Sequence, residues 1–102
     1  MTPITTLVTT GSSPVSLATV LPNSGRCAKL LLVAFAGNSD RIAVGLAGMN
    51  LTTGNSVIND AMQPGDTLSL ESQSDSNRVY AGLYYLNSPT SGQKMLCTQW
   101  IS

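Results

Sequence analysis

The feature that most constrains this chain is a period-two alternation of apolar and polar residues, cut at short intervals by clusters of Gly, Pro, Asn, Asp and Ser. Alternation puts successive side chains on opposite faces of a strand, and frequent turn clusters keep each strand short. Together they predict an antiparallel sandwich or barrel. No segment carries a helical period. Strands are predicted at residues 4–8, 15–20, 29–36, 41–46, 67–71, 78–86 and 94–101, with residues 48–61 forming a hairpin or a long ordered loop. Turn clusters separate them at residues 11–14, 21–25, 37–40, 72–77 and 87–93. Seven or eight strands fill one domain over residues 1–102, a length that buries roughly 60–70% of the surface the unfolded chain exposes.

Three segments say more. Residues 29–36 are apolar on both faces, with Leu30, Leu32 and Ala34 against Leu31, Val33 and Phe35. One face of a sandwich strand packs in the core, so the other must meet a neighbouring subunit, a loop or another surface. In residues 41–46, Ile42, Val44 and Leu46 share one face while only Ala43 and Gly45 occupy the other, which permits close approach of something there. Gln63-Pro64-Gly65-Asp66 has Pro second and Gly third, the arrangement of a type II turn, whose third position needs positive φ.

Charged residues make up only 10% of the chain, five basic against five acidic, with no run of like charge. Nucleic acid and anionic membrane are therefore not expected as partners. Ser, Thr and Asn supply the polar surface instead, and a surface near zero net charge resists self-association poorly, so assembly is the default expectation. The longest apolar run falls far short of the roughly 20 residues that span a bilayer. The first ten residues lack the basic and apolar regions of a signal peptide, which predicts a protein made and used from the cytoplasm.

Catalytic chemistry finds little support. The chain has no His, so acid–base work would fall to Asp40, Asp60, Asp66, Glu71 and Asp75, and Asp40, Asp66 and Asp75 sit where turn-forming Asp is expected. Ser and Cys lack their usual activating base, and no glycine-rich phosphate cradle occurs. Asp75-Ser76-Asn77 could open a calcium loop, but the Gly and later acidic ligands of that pattern do not follow. Asn50-Leu51-Thr52 reads formally as a glycosylation sequon. Cys27 and Cys97 are too few for a zinc site without His. They either close a disulfide or stay buried as free thiols, and cytoplasmic assembly favours the thiols. The expectation is a non-enzyme with no cofactor and no metal.

The run from Arg41 to Asn50, the Gly at 54, the stretch from Met62 to Leu70 and then Asn77-Arg78-Val79-Tyr80-Ala81 resemble small β-sandwich virion proteins of tailed bacteriophages. In these a V-x-V-G strand, a Gly-containing loop, an L-x-P-G-[DE] turn and a V-Y strand follow one another. The resemblance covers residues 28–86 and implies a capsid decoration or cement protein on the virion surface, with the major capsid protein as its partner. The fold expected on this reading is a seven- to eight-stranded antiparallel β-sandwich, jelly-roll-like, assembled as a homotrimer or, next, a dimer.

Core strands are assigned to the interior, which leaves two segments for the capsid contact. The first is residues 2–10, with Pro3, Ile4, Leu7 and Val8, suited to adding an extended strand to a partner's sheet or else serving as the first strand of its own. The second is the 48–61 segment, with Met49, Leu51, Val57 and Ile58. The alternative function is a carbohydrate- or receptor-binding module of a tail or head fibre. It would use Tyr80 and Tyr84, predicted on one strand face around Gly82, with Trp100.

Overall fold

A computed structural model describes residues 2–22, 26–71 and 79–101. The elements in order are β1 (Thr2–Thr9), β2 (Val15–Ser16), the one-turn helix α1 (Leu17–Val20), β3 (Arg26–Cys27), β4 (Lys29–Ala34), β5 (Ile42–Leu46), β6 (Val57–Met62), β7 (Thr67–Glu71), β8 (Val79–Tyr80), a 3-10 turn (Ala81–Leu83), β9 (Tyr84–Asn87) and β10 (Lys94–Ile101). One four-stranded sheet runs β1-β10-β4-β7, a second runs β2-β9-β5-β6, and β3 and β8 form a two-stranded ribbon. Every pairing is antiparallel. With the ribbon set aside, the first strand pairs with the last, the second with the next to last, and so on inward to β5 with β6. That nested order, split over two sheets, is a jelly roll.

The core lies between the sheets. Val8, Leu30, Leu32, Ala34, Met95 and Cys97 face it from the first sheet, and Ile42, Val44, Met62 and Leu86 from the second. The strict alternation of β4, whose even residues are buried and odd residues half-buried, shows why the period-two signal was readable there. Cys27 and Cys97 are both buried and not joined in a disulfide, and desolvation pushes Cys97 up to about 12. Gln99 is also fully buried on the inner face of β10. Its Nε2 donates to the Pro22 carbonyl at 3.4 Å, while its Oε1 meets no donor among the described residues.

Two predicted strands are interrupted. Residues 15–20 give only a two-residue strand before α1, because one helical turn directs Leu17 and Leu21 into the core together, closed by the Leu21 N–H on the Leu17 carbonyl at 3.0 Å. The strand expected over 78–86 breaks at the 3-10 turn, which carries the chain from the β3–β8 ribbon into the second sheet. Residues 23–25 of the turn predicted at 21–25, the predicted turn at 72–77, Arg78 and the calcium candidate at 75–77 lie outside the described residues.

The small face of β5 is covered from within the chain. Residues 47–56 fold back over it so that Met49 is buried, Ala43 has no exposure and the Ser56 carbonyl accepts the Leu46 N–H at 2.8 Å. A Cβ on Gly45 would collide with that carbonyl and lie 3.0 Å from Met49 Cβ. Within the loop, Asn50 Oδ1 accepts from the N–H groups of Thr52 (2.8 Å) and Thr53 (3.1 Å), so the segment is an ordered hairpin loop. The type II turn is also present, with Gly65 at φ 89° and the Asp66 N–H on the Gln63 carbonyl at 2.9 Å.

One end of the sandwich is tied by polar side chains. Buried Gln93 accepts from the N–H groups of Ser39 (2.8 Å) and Asp40 (3.0 Å) through Oε1 and donates to Ser39 Oγ at 3.1 Å. Asp40 accepts from the Thr90 hydroxyl at 2.6 Å and the Arg41 N–H at 2.7 Å. These two bonds, the Thr90 one foremost, hold its carboxyl below the usual carboxylate range. A carboxyl lowered in the fold stabilises above its unfolded pKa, and that contribution disappears as pH falls through the folded value.

Three outcomes follow from this architecture. Gly45→Val should lower unfolding free energy by about 1–3 kcal/mol in urea titration, whereas Gly11→Ala, with nothing near its Cβ, should stay within about 0.5 kcal/mol of the parent. Asp40→Asn should melt below the parent at neutral pH, and the two melting curves should converge in acid. Removing residues 2–9 deletes β1 with inward-facing Val8, so the truncated chain should lose its near-ultraviolet circular dichroism and its cooperative melt.

Candidate functional site

The outer face of the first sheet is open. Register places Leu7, Leu96 and Val33 side by side across β1, β10 and β4, with Thr5, Thr98 and Leu31 in the next row and Pro3, Trp100 and Lys29 beyond. Leu7 is 50% exposed and Phe35, just past the end of β4, is 41% exposed; Leu31, Val33, Leu96 and Trp100 are half-buried by their lateral neighbours. The Thr5 and Thr98 hydroxyls bond at 2.9 Å between the apolar rows.

Each end of this face carries a lysine on an aromatic ring. Lys29 Nζ stands 5.3 Å from the Trp100 ring centroid, and Lys94 Nζ 5.7 Å from that of Phe35. Such contacts hold the alkyl stems against the rings and keep the ammonium groups at the margin. The face is thus an apolar centre with a polar rim that carries charged residues at its ends.

The predicted contact residues divide. Pro3 and Leu7 lie on the open face; Ile4 and Val8 point inward, and Val8 is a core residue. Residues 2–10 are therefore the sheet's own first strand rather than a free arm. In the second segment, Met49 packs over Gly45 and Leu51 is half-buried in the loop. Val57 and Ile58, with Asn59, Asp60, Gly54 and Leu68, line an open groove of about 420 Å³ between β6 and β7. This groove is separate from the sheet face.

The aromatic face is not assembled. The 3-10 turn breaks the strand on which Tyr80 and Tyr84 were to share a side: Tyr80 is exposed on the ribbon, while Tyr84 packs against the core. Trp100 belongs to the other sheet, on its outer side. Leu31, Val33, Phe35 and Leu96 were missed as contact residues because the core strands were assigned wholly to the interior. The signal was the second apolar face of residues 29–36.

Among the described residues no group of three Cys, Asp or Glu side chains could hold a metal ion, and no helix is long and apolar enough to cross a membrane. Comparison with known protein families, with curated proteins and with solved structures finds no match to this chain.

Proposed function

We propose that this chain is a structural virion protein that docks on the outer surface of a tailed-phage head and stabilises it, using the open face of its first sheet against the major capsid protein. The observation that carries this reading is the apolar row Leu7–Leu96–Val33, left open to solvent on a sandwich whose core is already complete without it. Contiguous exposed apolar surface with a polar rim marks an interaction site. The phage setting rests on the resemblance of residues 28–86 to small virion sandwich proteins, and the near-absence of charge agrees with a protein that lives packed against other protein.

The face also suits the task mechanically. A sheet held by a full antiparallel ladder is rigid, so docking orders few side chains and loses little entropy. Charge at the margin of such a face acts on the rate of encounter more than on affinity.

Purified protein should co-sediment with heads that lack it and should raise their resistance to heat. Leu7→Asp, at an exposed position that leaves the core intact, should weaken retention by about tenfold or more, the loss of one central interface anchor. Retention unchanged by Leu7→Asp would move the contact elsewhere, and a glycan-array signal without head binding would favour the carbohydrate-binding reading.

A further inference from the structure

We infer that two copies of this chain pair edge to edge through β1, antiparallel about a two-fold axis at Leu7, to form one continuous eight-stranded sheet. Two contacts behind β1 settle which of its backbone groups are left open among the described residues. The Thr10 N–H donates to the Gln93 carbonyl and the Gly92 N–H to the Thr10 carbonyl, both at 2.8 Å, with Gly92 at φ 88°. This is a glycine bulge that fixes the phase of the ladder behind it. The Phe35 N–H on the Lys94 carbonyl at 3.0 Å fixes the same phase from the other side of β10. In an antiparallel ladder the bonded residues alternate. The backbones of Ile4, Thr6, Val8 and Thr10 therefore face β10, and those of Pro3, Thr5, Leu7 and Thr9 face away.

An open row of this kind is a template for another strand, and folded proteins usually blunt it with charge, proline, bulges or brevity. Among the described residues, the other edges of the two four-stranded sheets are blunted, and the ribbon strands β3 and β8 have only two residues each. β2 has two residues, β6 is broken by register shifts and carries Asp60, and β7 has five residues and ends in Glu71. β1 runs eight residues with no charge, and its one proline stands at the far end.

Self-pairing fits that edge better than pairing with an arbitrary strand. Centred on Leu7, the two-fold sets Leu7 against the partner's Leu7 and Thr5 against the partner's Thr9, so every open N–H of the segment 5–9 meets an open carbonyl. Pro3, which has no N–H to give, falls beyond the paired segment. No charge opposes its own image across the axis. The outer faces of both sheets come to the same side, and the apolar row continues unbroken from Val33 and Leu96 through Leu7 into the partner's Leu7. A two-fold dimer, the second of the two assemblies expected from the sequence after the trimer, is the closed form of this contact.

The inference does not depend on head binding and is tested in solution on the full chain. Light scattering at high concentration should give a dimer. Thr5→Lys with Thr9→Lys sets lysine opposite lysine and should give a monomer of unchanged circular dichroism, while Thr5→Lys with Thr9→Glu sets opposite charges together and should restore the dimer. In the parent, the amides of Thr5, Leu7 and Thr9 should exchange slowly with deuterium when concentrated and quickly when dilute, while those of Thr6 and Val8 stay protected throughout. A monomeric parent overturns the inference, as does a dimer indifferent to both charge pairs or one in which the Thr5, Leu7 and Thr9 amides stay fast. If the lysine variant fails to fold, the exchange pattern of the parent decides alone.

Discussion

The pairing of β1 with β10 is the contact on which the rest depends. It joins the two ends of the described chain over eight residues, from Thr2 against Ile101 to Thr9 against Lys94. Because the strand pairs are nested, it is the outermost shell of the set, and it places β10 between β1 and β4 where Met95 and Cys97 complete the inner face. Pairings this distant in sequence carry a large loop-closure cost before any contact forms, so the nest closes from the β5–β6 hairpin outward or waits on a diffuse nucleus. The ordered loop at residues 47–56, with its Asn50 side chain holding two backbone N–H groups, makes that innermost hairpin the most local part of the fold.

How much of this was legible depends on the range of the interaction. Strands 67–71 and 94–101 matched the structure because alternation and flanking turns are local properties of the chain. Gly45 was legible as a site of close approach, though not what approached: Met49 lies only four residues on, yet nothing local says that the loop folds back. The helical turn at α1 escaped because Leu17 and Leu21 suit a strand spacing as well as a helical one, and only the depth of the core at that corner decides. The turn at Ala81–Leu83 escaped for a like reason, since the chain must change sheets there and alternation carries no information about sheet identity.

The candidate surface was half legible. Two-sided apolarity in residues 29–36 announced that the strand's second face has a use, and the structure adds which neighbours share it: Leu96 and Leu7, brought alongside by register from opposite ends of the chain. No reading of one strand at a time could assemble that row. The aromatic trio failed for the converse reason, since its members were grouped by strand periodicity across a segment that is not a regular strand.

Gln99 gains a meaning from this register. Alternation alone forbids a one-residue slip between strands, because every core side chain would turn outward, but a slip of two residues preserves both faces and passes that check. For β10 such a slip, moving its C-terminal end inward, would carry Gln99 to the place of Cys97, between Thr6 and Leu32 in the middle of the sandwich and away from the Pro22 carbonyl. An amide whose oxygen already lacks a donor among the described residues would also give up the Pro22 carbonyl, at an added cost of about 1–3 kcal/mol if nothing replaced it. The glycine bulge at Gly92 opposes slippage at the other end of the strand. A side chain that looks like a flaw in the core thus acts as a proofreading mark on the strand that holds the sheet together.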